Sequence, residues 1–373
     1  MRPFYLERFG NASSIHQQGQ QARAAVEQAR ESVASLLGCR AAEIVFTSGG
    51  TEGDNLGVFG MANPGDHIIT STVEHHAVLN SCKRLEEMGC EVTYVPVNRE
   101  GAVDPAGIAA AIGPKTRLIT VMMANNETGA LQPVAEIGQI AQERGIVFHT
   151  DAVQAAGKVP INVKEIGCQL LSISGHKMHA PQCVGALYVR RGTLLKPLFY
   201  GGRHERSRRA GTENLAGIVG FGKAAEMARE WLGSGGDASM ASLRDQLEQT
   251  ILQRVERAQV NSGNVARTPN TTNIVFECIE GEAMVIALDL KGVSVSTGAA
   301  CSSGAIEPSH VLTAMGLSGE EARGSIRFSL GKQTTEAEIE FVAERVPEVV
   351  SRLRELSPVW SKVISRKSQV GAP

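Results

Sequence analysis

The sequence predicts an α/β protein with a large, mostly parallel sheet, followed by a smaller α+β region. Short runs rich in β-branched residues alternate with helical patterns through the first two thirds of the 373 residues. Such alternation is typical of a parallel sheet with helices on both faces. A Gly/Ser cluster at 233–237 then separates this region from a second series of helices and strands.

Seven runs in the first region have the length and residue types of strands. They lie at 43–48, 67–71, 91–97, 118–123, 146–150, 170–174 and 185–189. Helical stretches at 76–89 and 134–145 lie between strands and end at glycine, the usual helix stop. In such a sheet the ligand lies beyond the carboxyl ends of the strands, so the residues that follow each run are the candidates for a site.

We expect a large domain over residues 1–234 and a smaller α+β domain over 235–373. The second region predicts a long helix at 242–258 and closing helices near the end of the chain. Its strands are expected at 272–278, 293–297 and 325–330.

Composition disfavours several classes of protein. The formal net charge is −2 and aromatic residues make up 4%, so neither nucleic acid nor an anionic membrane is an expected partner. No apolar run is long enough to span a membrane, and no secretion signal is recognisable, so a cytoplasmic location is expected. The seven cysteines contain no C-x-x-C pair, which supports neither a disulfide framework nor a structural zinc site.

Two motifs follow the first two strands. Gly49, Gly50 and Thr51 stand where a strand runs into a helix, and they form either an anion cradle at the helix N-terminus or an ordinary turn. His75 and His76 follow the second strand. Adjacent helical residues rarely share one metal ion, so a metal site is disfavoured. One of the two histidines could lie on a flat cofactor, and a capping or solvated histidine is the alternative.

Polar residues also follow the fourth and fifth strands. Asn126 belongs to the loop 124–129, for which a simple turn is the alternative. Asp151 ends a strand that looks buried, and Gln154 comes three residues later. A carboxylate in that position needs a cationic or hydrogen-bonding partner, such as a protonated heteroaromatic nitrogen.

Ser174, His176 and Lys177 follow the sixth strand. A lysine among anion-binding groups can form a Schiff base with an aldehyde. The five motifs together supply an anion cradle, a ring that stacks, an acid for a pyridine nitrogen and a Schiff-base lysine. That is the set of groups that pyridoxal phosphate (PLP) requires.

Cys301 stands in the run 294–310, which is rich in Ser, Thr, Gly and Ala and is typical of an exposed loop. It is a candidate nucleophile, and an incidental surface thiol is the alternative. The arginine-rich stretch 201–214 indicates an interface or contact with a phosphate, because it lacks the interleaved aromatics that RNA binding favours. Arg327, in a short strand, either grips a carboxylate or is a surface arginine.

These motifs, taken in order, resemble those of the NifS/IscS-type cysteine desulfurases of the class V aminotransferase family. The matching stretches are "ERFGNASSIH", "FTSGGTEGDN", "EHHAVL", "NNETG", "HTDAVQ", "SGHK", "RRAGTEN", "STGAACSSG", "RFSLG" and "LRELSP". The resemblance implies a fold-type I PLP-dependent enzyme, usually a homodimer, that removes sulfur from L-cysteine and leaves L-alanine.

Carried over by motif, the resemblance implies a role for each candidate. Lys177 would hold PLP as a Schiff base and move the α-proton, with His75 stacked on the ring and Asp151 at the pyridine nitrogen. The other cofactor contacts would come from Gly50, Thr51, Asn126, Gln154, Ser174, His176 and, from the partner subunit, Thr212.

The resemblance also implies how substrate and sulfur are handled. Asn126 would lie beside the substrate, Arg327 would bind its carboxylate, and Cys301 would take its sulfur as a persulfide. The persulfide would then serve a sulfur acceptor, such as a scaffold protein for iron–sulfur clusters. A selenocysteine lyase, another class V PLP enzyme such as a transaminase, and an inactive relative that acts as a binding partner are the alternatives. A transaminase needs no such cysteine.

Three features depart from the family pattern. The chain begins at "MRPFYLERFGN", downstream of the family's first strand with its "N-A-T-T"-like motif, so that strand is expected to be missing. Residues 180–183, "APQC", stand where the family has Gly-Pro-Lys-Gly, so Cys183 is expected to strain a close backbone approach. His204 and Glu205 stand where the family has Gln-Glu.

Overall fold

Seven strands form one sheet in the computed structural model of the chain, which describes residues 1–297, 308–358 and 360. They are β1 Ile44–Thr47, β2 His67–Ser71, β3 Glu91–Val95, β4 Thr116–Thr120, β5 Val147–Asp151, β6 Leu170–Ser174 and β7 Gly185–Val189. Their order in space is β1-β7-β6-β5-β4-β2-β3. The strands from β3 to β6 in this order are parallel neighbours, and β7 is antiparallel to β6 and β1. The predicted class, α/β with a large mostly parallel sheet, is confirmed.

Eight α-helices accompany this sheet. They are α1 Arg2–Leu6, α2 Gln17–Leu37, α3 Gly50–Phe59, α4 His76–Glu87, α5 Pro105–Ala111, α6 Val134–Glu143, α7 Val163–Ile166 and α8 Leu215–Gly233. Every residue of β2, β6 and β7 is buried, as expected for a sheet covered on both faces. The covered sheet leaves its carboxyl edge as the place for polar groups.

A second, antiparallel sheet contains β8 Ala258–Asn261, β9 Thr271–Phe276, β10 Ser296–Thr297 and β11 Ser325–Ser329, in the order β10-β11-β9-β8. Within the described residues, five helices belong with it. They are α9 Gly236–Arg254, α10 Gly281–Asp289, α11 His310–Ala314, α12 Gly319–Arg323 and α13 Glu336–Leu356.

The chain divides into two compact units. Unit 1 contains residues 1–96, 103–125 and 131–235, and unit 2 contains 97–102, 126–130 and the described residues from 236 onwards. Two short segments of the first region therefore belong with unit 2. The simpler domain bounds, 1–234 and 235–373, stay a prediction.

Two elements differ from their expected positions. The fourth strand was expected at 118–123, but β4 ends at Thr120, and beyond it the Met122 amide donates to the buried Glu74 carboxylate, 2.9 Å away. The helix expected at 242–258 begins at Gly236 and ends at Arg254, because residues 258–261 pair with β9 as β8.

No helix within the described ranges is long and apolar enough to cross a membrane.

Candidate functional site

The start of α3 forms a narrow cradle beside the end of β6. A Cβ added at Gly50 would lie 2.6 Å from Val153 Cγ2 and 3.6 Å from Ser174 Cβ, so a larger residue does not fit. Ser174 Oγ lies 2.9 Å from His176 Nδ1. Gly49, the N-cap, has no side chain with which to bond the first amides of the helix, and such amides bind anions well.

Helix α3 packs closely on the sheet because glycines line the face that meets it. Added Cβ atoms at Gly53 and Gly57 would lie 3.1 Å from Ser172 Oγ and 2.8 Å from His149 Cδ2. These close approaches hold the first turn of the helix, with the exposed Thr51, near the ends of β5 and β6.

Lys177 lies on a short 3₁₀ helix, Gly175–Met178, that follows β6 directly. Its side chain and that of His176 are exposed. Partial burial, and then the charges of Lys177 and Lys158, lower the pKa of His176. The charge of Lys177 also acts to lower the pKa of Asp151, so the amine is within electrostatic reach of the acid that ends the neighbouring strand.

Asp151 is the last residue of β5 and is buried, with 4% of its surface exposed. Its Oδ1 accepts a hydrogen bond of 2.8 Å from the Val153 amide. Burial raises the pKa of Asp151 to about 6, although the Val153 amide and Lys177 act in the opposite direction. A cation placed against this carboxylate would stabilise its charged form.

Two further buried acids, Asp54 and Glu74, were not predicted as part of the site. Burial, and less strongly the Asp151 charge, raises the pKa of Asp54 well above its usual value. Burial likewise raises the pKa of Glu74 to about 8, and Asp151 adds to the effect. Two features of the sequence could have identified these acids. Asp54 lies on the glycine-lined face of α3, and Glu74 comes shortly after the buried strand β2.

His149 lies beside Asp54 and was also not predicted. It is fully buried, with Nδ1 2.8 Å from Thr120 Oγ1 and Nε2 3.0 Å from Ser172 Oγ. Burial lowers the pKa of His149 to about 3, so the ring is neutral at physiological pH. Its Nε2 is also 3.7 Å from Asp54 Oδ1. Two residues before Asp151 on β5, His149 shares a face of the strand with it.

His75 is the N-cap of α4, and its Nδ1 accepts a hydrogen bond of 3.1 Å from the Ala77 amide. The capping role that the sequence left open is therefore observed, and contact with a cofactor ring stays a prediction. The His75 and His76 rings are 6.3 Å apart and tilted by 58°. In the part of the chain that the structure describes, no group of His, Cys, Asp and Glu is arranged to hold a metal ion.

Gln154 lies in the turn after β5, where its Oε1 accepts a hydrogen bond of 2.7 Å from Lys158 Nζ. It is half-buried and lies three residues beyond Asp151. Its contact with a cofactor hydroxyl stays a prediction.

The arginine-rich segment is fixed to α3 by an ion pair. Arg209 donates to Glu52 from Nε at 2.9 Å and from Nη2 at 3.3 Å. Burial acts to raise the pKa of Glu52, but the hydrogen bonds from Arg209 and Ser48 have the larger combined effect. The pKa of Glu52 is therefore lowered. Thr212, three residues after Arg209, is exposed.

Both departures from the family pattern in this region have a structural counterpart. Cys183 is exposed and has a φ of 59°, in the left-handed region that favours glycine, and strain in a close backbone approach there stays a prediction. Glu205 is buried and pairs with Arg30 at 2.6 and 2.9 Å, while its Oε2 also accepts from the Phe46 amide. His204 begins the 3₁₀ helix that contains Glu205.

In unit 2, Arg327 on β11 donates from Nη1 to the carbonyl oxygen of Asn126 at 2.8 Å. Asn126 Oδ1 and Arg327 Nε are buried and have no hydrogen-bond partner in the described part of the chain. A buried hydrogen-bond acceptor, Asn126 Oδ1, and a buried donor, Arg327 Nε, are therefore available to a ligand. Cys301 lies outside the described residues.

The chain is similar to known proteins over most of its length. The family profile described as aminotransferase class-V matches residues 1–342. A cysteine desulfurase of Nostoc sp. is 52% identical over 359 residues, which cover 95% of this chain and 90% of that protein. A cysteine desulfurase IscS of Dictyoglomus turgidum is 48% identical over 362 residues, which cover 96% and 92%. A solved structure titled NifS-like protein superposes with a TM-score of 0.88 at 36% identity and covers 94% of each chain.

Proposed function

Because the chain belongs to the class-V aminotransferase family and is a PLP-dependent cysteine desulfurase, we propose that Lys177 is the lysine that holds the cofactor. The observation that carries this proposal is the position of Lys177, directly after β6 and within electrostatic reach of the buried Asp151. Strand β5, which Asp151 ends, is the parallel neighbour of β6.

The residues of unit 1 fit PLP by their chemistry. The absence of room for a Cβ at Gly50, together with the uncapped first turn of α3, suits a phosphate. Ser174 and His176 add donors beside the same turn. Asp151 suits a protonated ring nitrogen, because its burial leaves it in need of a cation.

When bound, the cofactor supplies a ring that stores the electron pair released at the substrate Cα. Asp151 would hold a proton on the ring nitrogen. His75 would orient the ring, Gln154 would donate to the ring hydroxyl, and Lys177 would accept the α-proton of the substrate. These four roles, and that of Thr51 in the phosphate cradle, are proposals that rest on position and family motif.

We propose that Arg327 binds the carboxylate of the substrate L-cysteine. Asn126 is proposed to lie beside the substrate. Cys301, as thiolate, forms an S–S bond with the substrate sulfur while the substrate Cβ–S bond breaks. The electron pair of the broken bond stays with Cβ, which takes up a proton, and L-alanine leaves. The persulfide on Cys301 then passes its sulfur to an acceptor, which we propose to be a scaffold protein for iron–sulfur clusters or another sulfur-accepting protein.

A homodimer is proposed because unit 1 exposes large apolar side chains in two segments. Tyr5, Phe9 and Ile15 are 61%, 68% and 91% exposed, and Tyr200 is 87% exposed. Exposed apolar side chains of this size are typical of an interface. In a dimer, Thr212 would reach the phosphate of the partner subunit. The cytoplasmic location expected from the sequence also stays a prediction.

The function is tested by measuring alanine formed from L-cysteine by the purified chain with PLP and a thiol reductant. Lys177→Ala is expected to abolish both alanine formation and the visible absorbance of the bound cofactor. Cys301→Ala is expected to abolish alanine formation but to keep the absorbance. Undiminished alanine formation by Cys301→Ala would show that the persulfide step is wrong, whereas undiminished absorbance in Lys177→Ala would overturn the cofactor site.

A further inference from the structure

Glu127 is a buried acid in unit 2, with 3% of its surface exposed. Ser309 Oγ donates a hydrogen bond of 2.5 Å to Glu127 Oε2 and accepts one of 3.2 Å from the Leu312 amide as the N-cap of α11. Asn273 Nδ2 on β9 donates to the Glu127 carbonyl at 3.2 Å. Glu127 is therefore held from two elements of the same unit, its carboxylate by Ser309 and its backbone carbonyl by Asn273.

The residue before Glu127 holds Arg327, since Arg327 Nη1 donates to the Asn126 carbonyl. The guanidinium charge acts on the Glu127 carboxylate and favours its ionised form. Burial has the larger effect, and it raises the pKa of Glu127 to about 7 although Ser309 and Arg327 act in the opposite direction. The Arg327 charge thus favours the ionised form of a carboxyl group whose pKa burial raises to about 7.

Three elements of unit 2 contribute groups near Glu127. Strand β11 contributes Arg327, strand β9 contributes the neutral Asn273, and helix α11 contributes its N-cap Ser309, which the titratable His310 follows. The charge of Arg327 acts to lower the pKa of Glu127. Glu307, two positions before Ser309 in the sequence, lies outside the described residues.

We propose that Glu127 couples substrate binding to proton uptake, because the substrate carboxylate and Glu127 draw on the same Arg327 charge. This inference rests on the proposed role of Arg327 as the residue that binds the substrate carboxylate. When that carboxylate arrives, a second negative charge lies near Glu127, and Glu127 takes a proton from solvent. The Ser309 hydroxyl can donate to a carboxylate or accept from a carboxylic acid, so its contact survives the change.

Coupling of this kind makes substrate affinity depend on pH in a defined direction. Below pH 7 Glu127 is already protonated in the free protein, and binding requires no further proton. As pH rises through about 7 Glu127 becomes charged, and affinity for a carboxylate ligand falls. A shift of one unit in the pKa of Glu127 on binding corresponds to about a tenfold loss of affinity. A purely structural role for Glu127 would produce no such dependence.

The experiment compares the PLP-loaded wild type with Glu127→Gln, which can still accept the Ser309 hydrogen bond but does not titrate. The probe is L-alanine, which has the amine and carboxylate of the substrate but no thiol, and binding is followed by the cofactor absorbance from about pH 6 to about pH 9. We expect wild-type affinity to fall by about threefold to tenfold more than that of Glu127→Gln over this range. Calorimetry in two buffers of different ionisation enthalpy is expected to show extra proton uptake in the wild type near pH 7.

Three controls separate the possible outcomes. Glu127→Asp keeps a titrating group and is expected to keep the pH dependence, and Glu282→Gln, at an exposed position of α10, is expected to match the wild type. Ethylamine, which lacks a carboxylate, is expected to bind with the same pH profile to wild type and Glu127→Gln. Equal alanine profiles for wild type and Glu127→Gln would overturn the inference. If Arg327→Gln binds alanine as tightly as wild type does, the proposed carboxylate site itself is wrong.

Discussion

Gly57 lies so close to His149 that no methyl group fits between them. A Cβ at Gly57 would be 2.8 Å from His149 Cδ2, and this ring is held by Thr120 and Ser172 on the two neighbouring strands. The contact sets the distance between α3 and the sheet, and with it the position of the phosphate cradle proposed at the start of the helix.

Gly57→Ala is therefore expected to destabilise the protein by about 1–3 kcal/mol, because either the helix or the His149 ring must move. The free energy of unfolding by denaturant is the measurement that checks this prediction. Gly233→Ala is the matched control, since Gly233 ends α8 and a Cβ there has no atom within 4 Å. Equal stability of Gly57→Ala and Gly233→Ala would show that the helix is free to shift.

Glu74 is expected to make the protein less stable as pH rises. Its pKa is raised from 4.5 to about 8 in the folded protein, so the unfolded chain loses the proton at lower pH than the folded one. The stability from this group is full below the unfolded value and falls through the interval up to about pH 8, by at most about 1.4 kcal/mol per pH unit.

Glu74→Gln is expected to remove that part of the pH dependence, because glutamine Oε1 can still accept from Ser71 and from the Met122 amide. Denaturant unfolding of both proteins between about pH 5 and about pH 8 measures the difference in slope. Glu87→Gln, at an exposed position of α4, is the control and is expected to leave the slope unchanged. An equal slope for Glu74→Gln and wild type would mean that Glu74 is ionised in the folded protein.

The ion pair between Arg209 and Glu52 is expected to support cofactor retention. It fixes the segment that carries Thr212 to the first turn of α3. Glu52→Gln removes the negative charge that pairs with Arg209, and we expect about threefold to tenfold weaker PLP binding. Titration of the cofactor-free protein by absorbance measures the change. Glu87→Gln, which weakens the exposed pair with Arg84, is expected to bind PLP like wild type.

The strands of the large sheet, and the polar residues at their ends, were predictable because both depend on local sequence. Buried strands have a recognisable composition, and parallel strands bring the residues after them to one edge. Lys177, Asp151 and the glycines at the start of α3 were therefore predicted together, and the structure places them on neighbouring elements of one unit.

Asp54, Glu74 and His149 were not predicted because their role depends on burial, which arises from contacts distant in sequence. The amide of Met122, for example, donates to the carboxylate of Glu74, which lies 48 residues earlier in the sequence. β8 was missed for a similar reason, since a four-residue strand of mixed polarity forms only by pairing with β9. Local propensity contains no information on such partners.

Cys183 provides a test of which cysteine takes the sulfur. It is exposed, lies six residues after Lys177, and stands in a left-handed conformation with a φ of 59°. Cys183→Gly is expected to raise the free energy of unfolding by about 1 kcal/mol or less, because glycine adopts this conformation without strain but loses more entropy on folding. Cys183→Ala keeps the strained backbone and is expected to leave stability nearly unchanged.

Both Cys183 variants are expected to form alanine from L-cysteine at the wild-type rate, because the thiol that takes the sulfur is proposed to be that of Cys301. The measurement is alanine formation by Cys183→Ala and Cys301→Ala under identical conditions, with PLP loading checked by absorbance. Loss of alanine formation in Cys183→Ala, with the cofactor still bound, would move the persulfide to Cys183. Loss in Cys301→Ala alone would leave Cys183 as a strained replacement for glycine with no part in the chemistry.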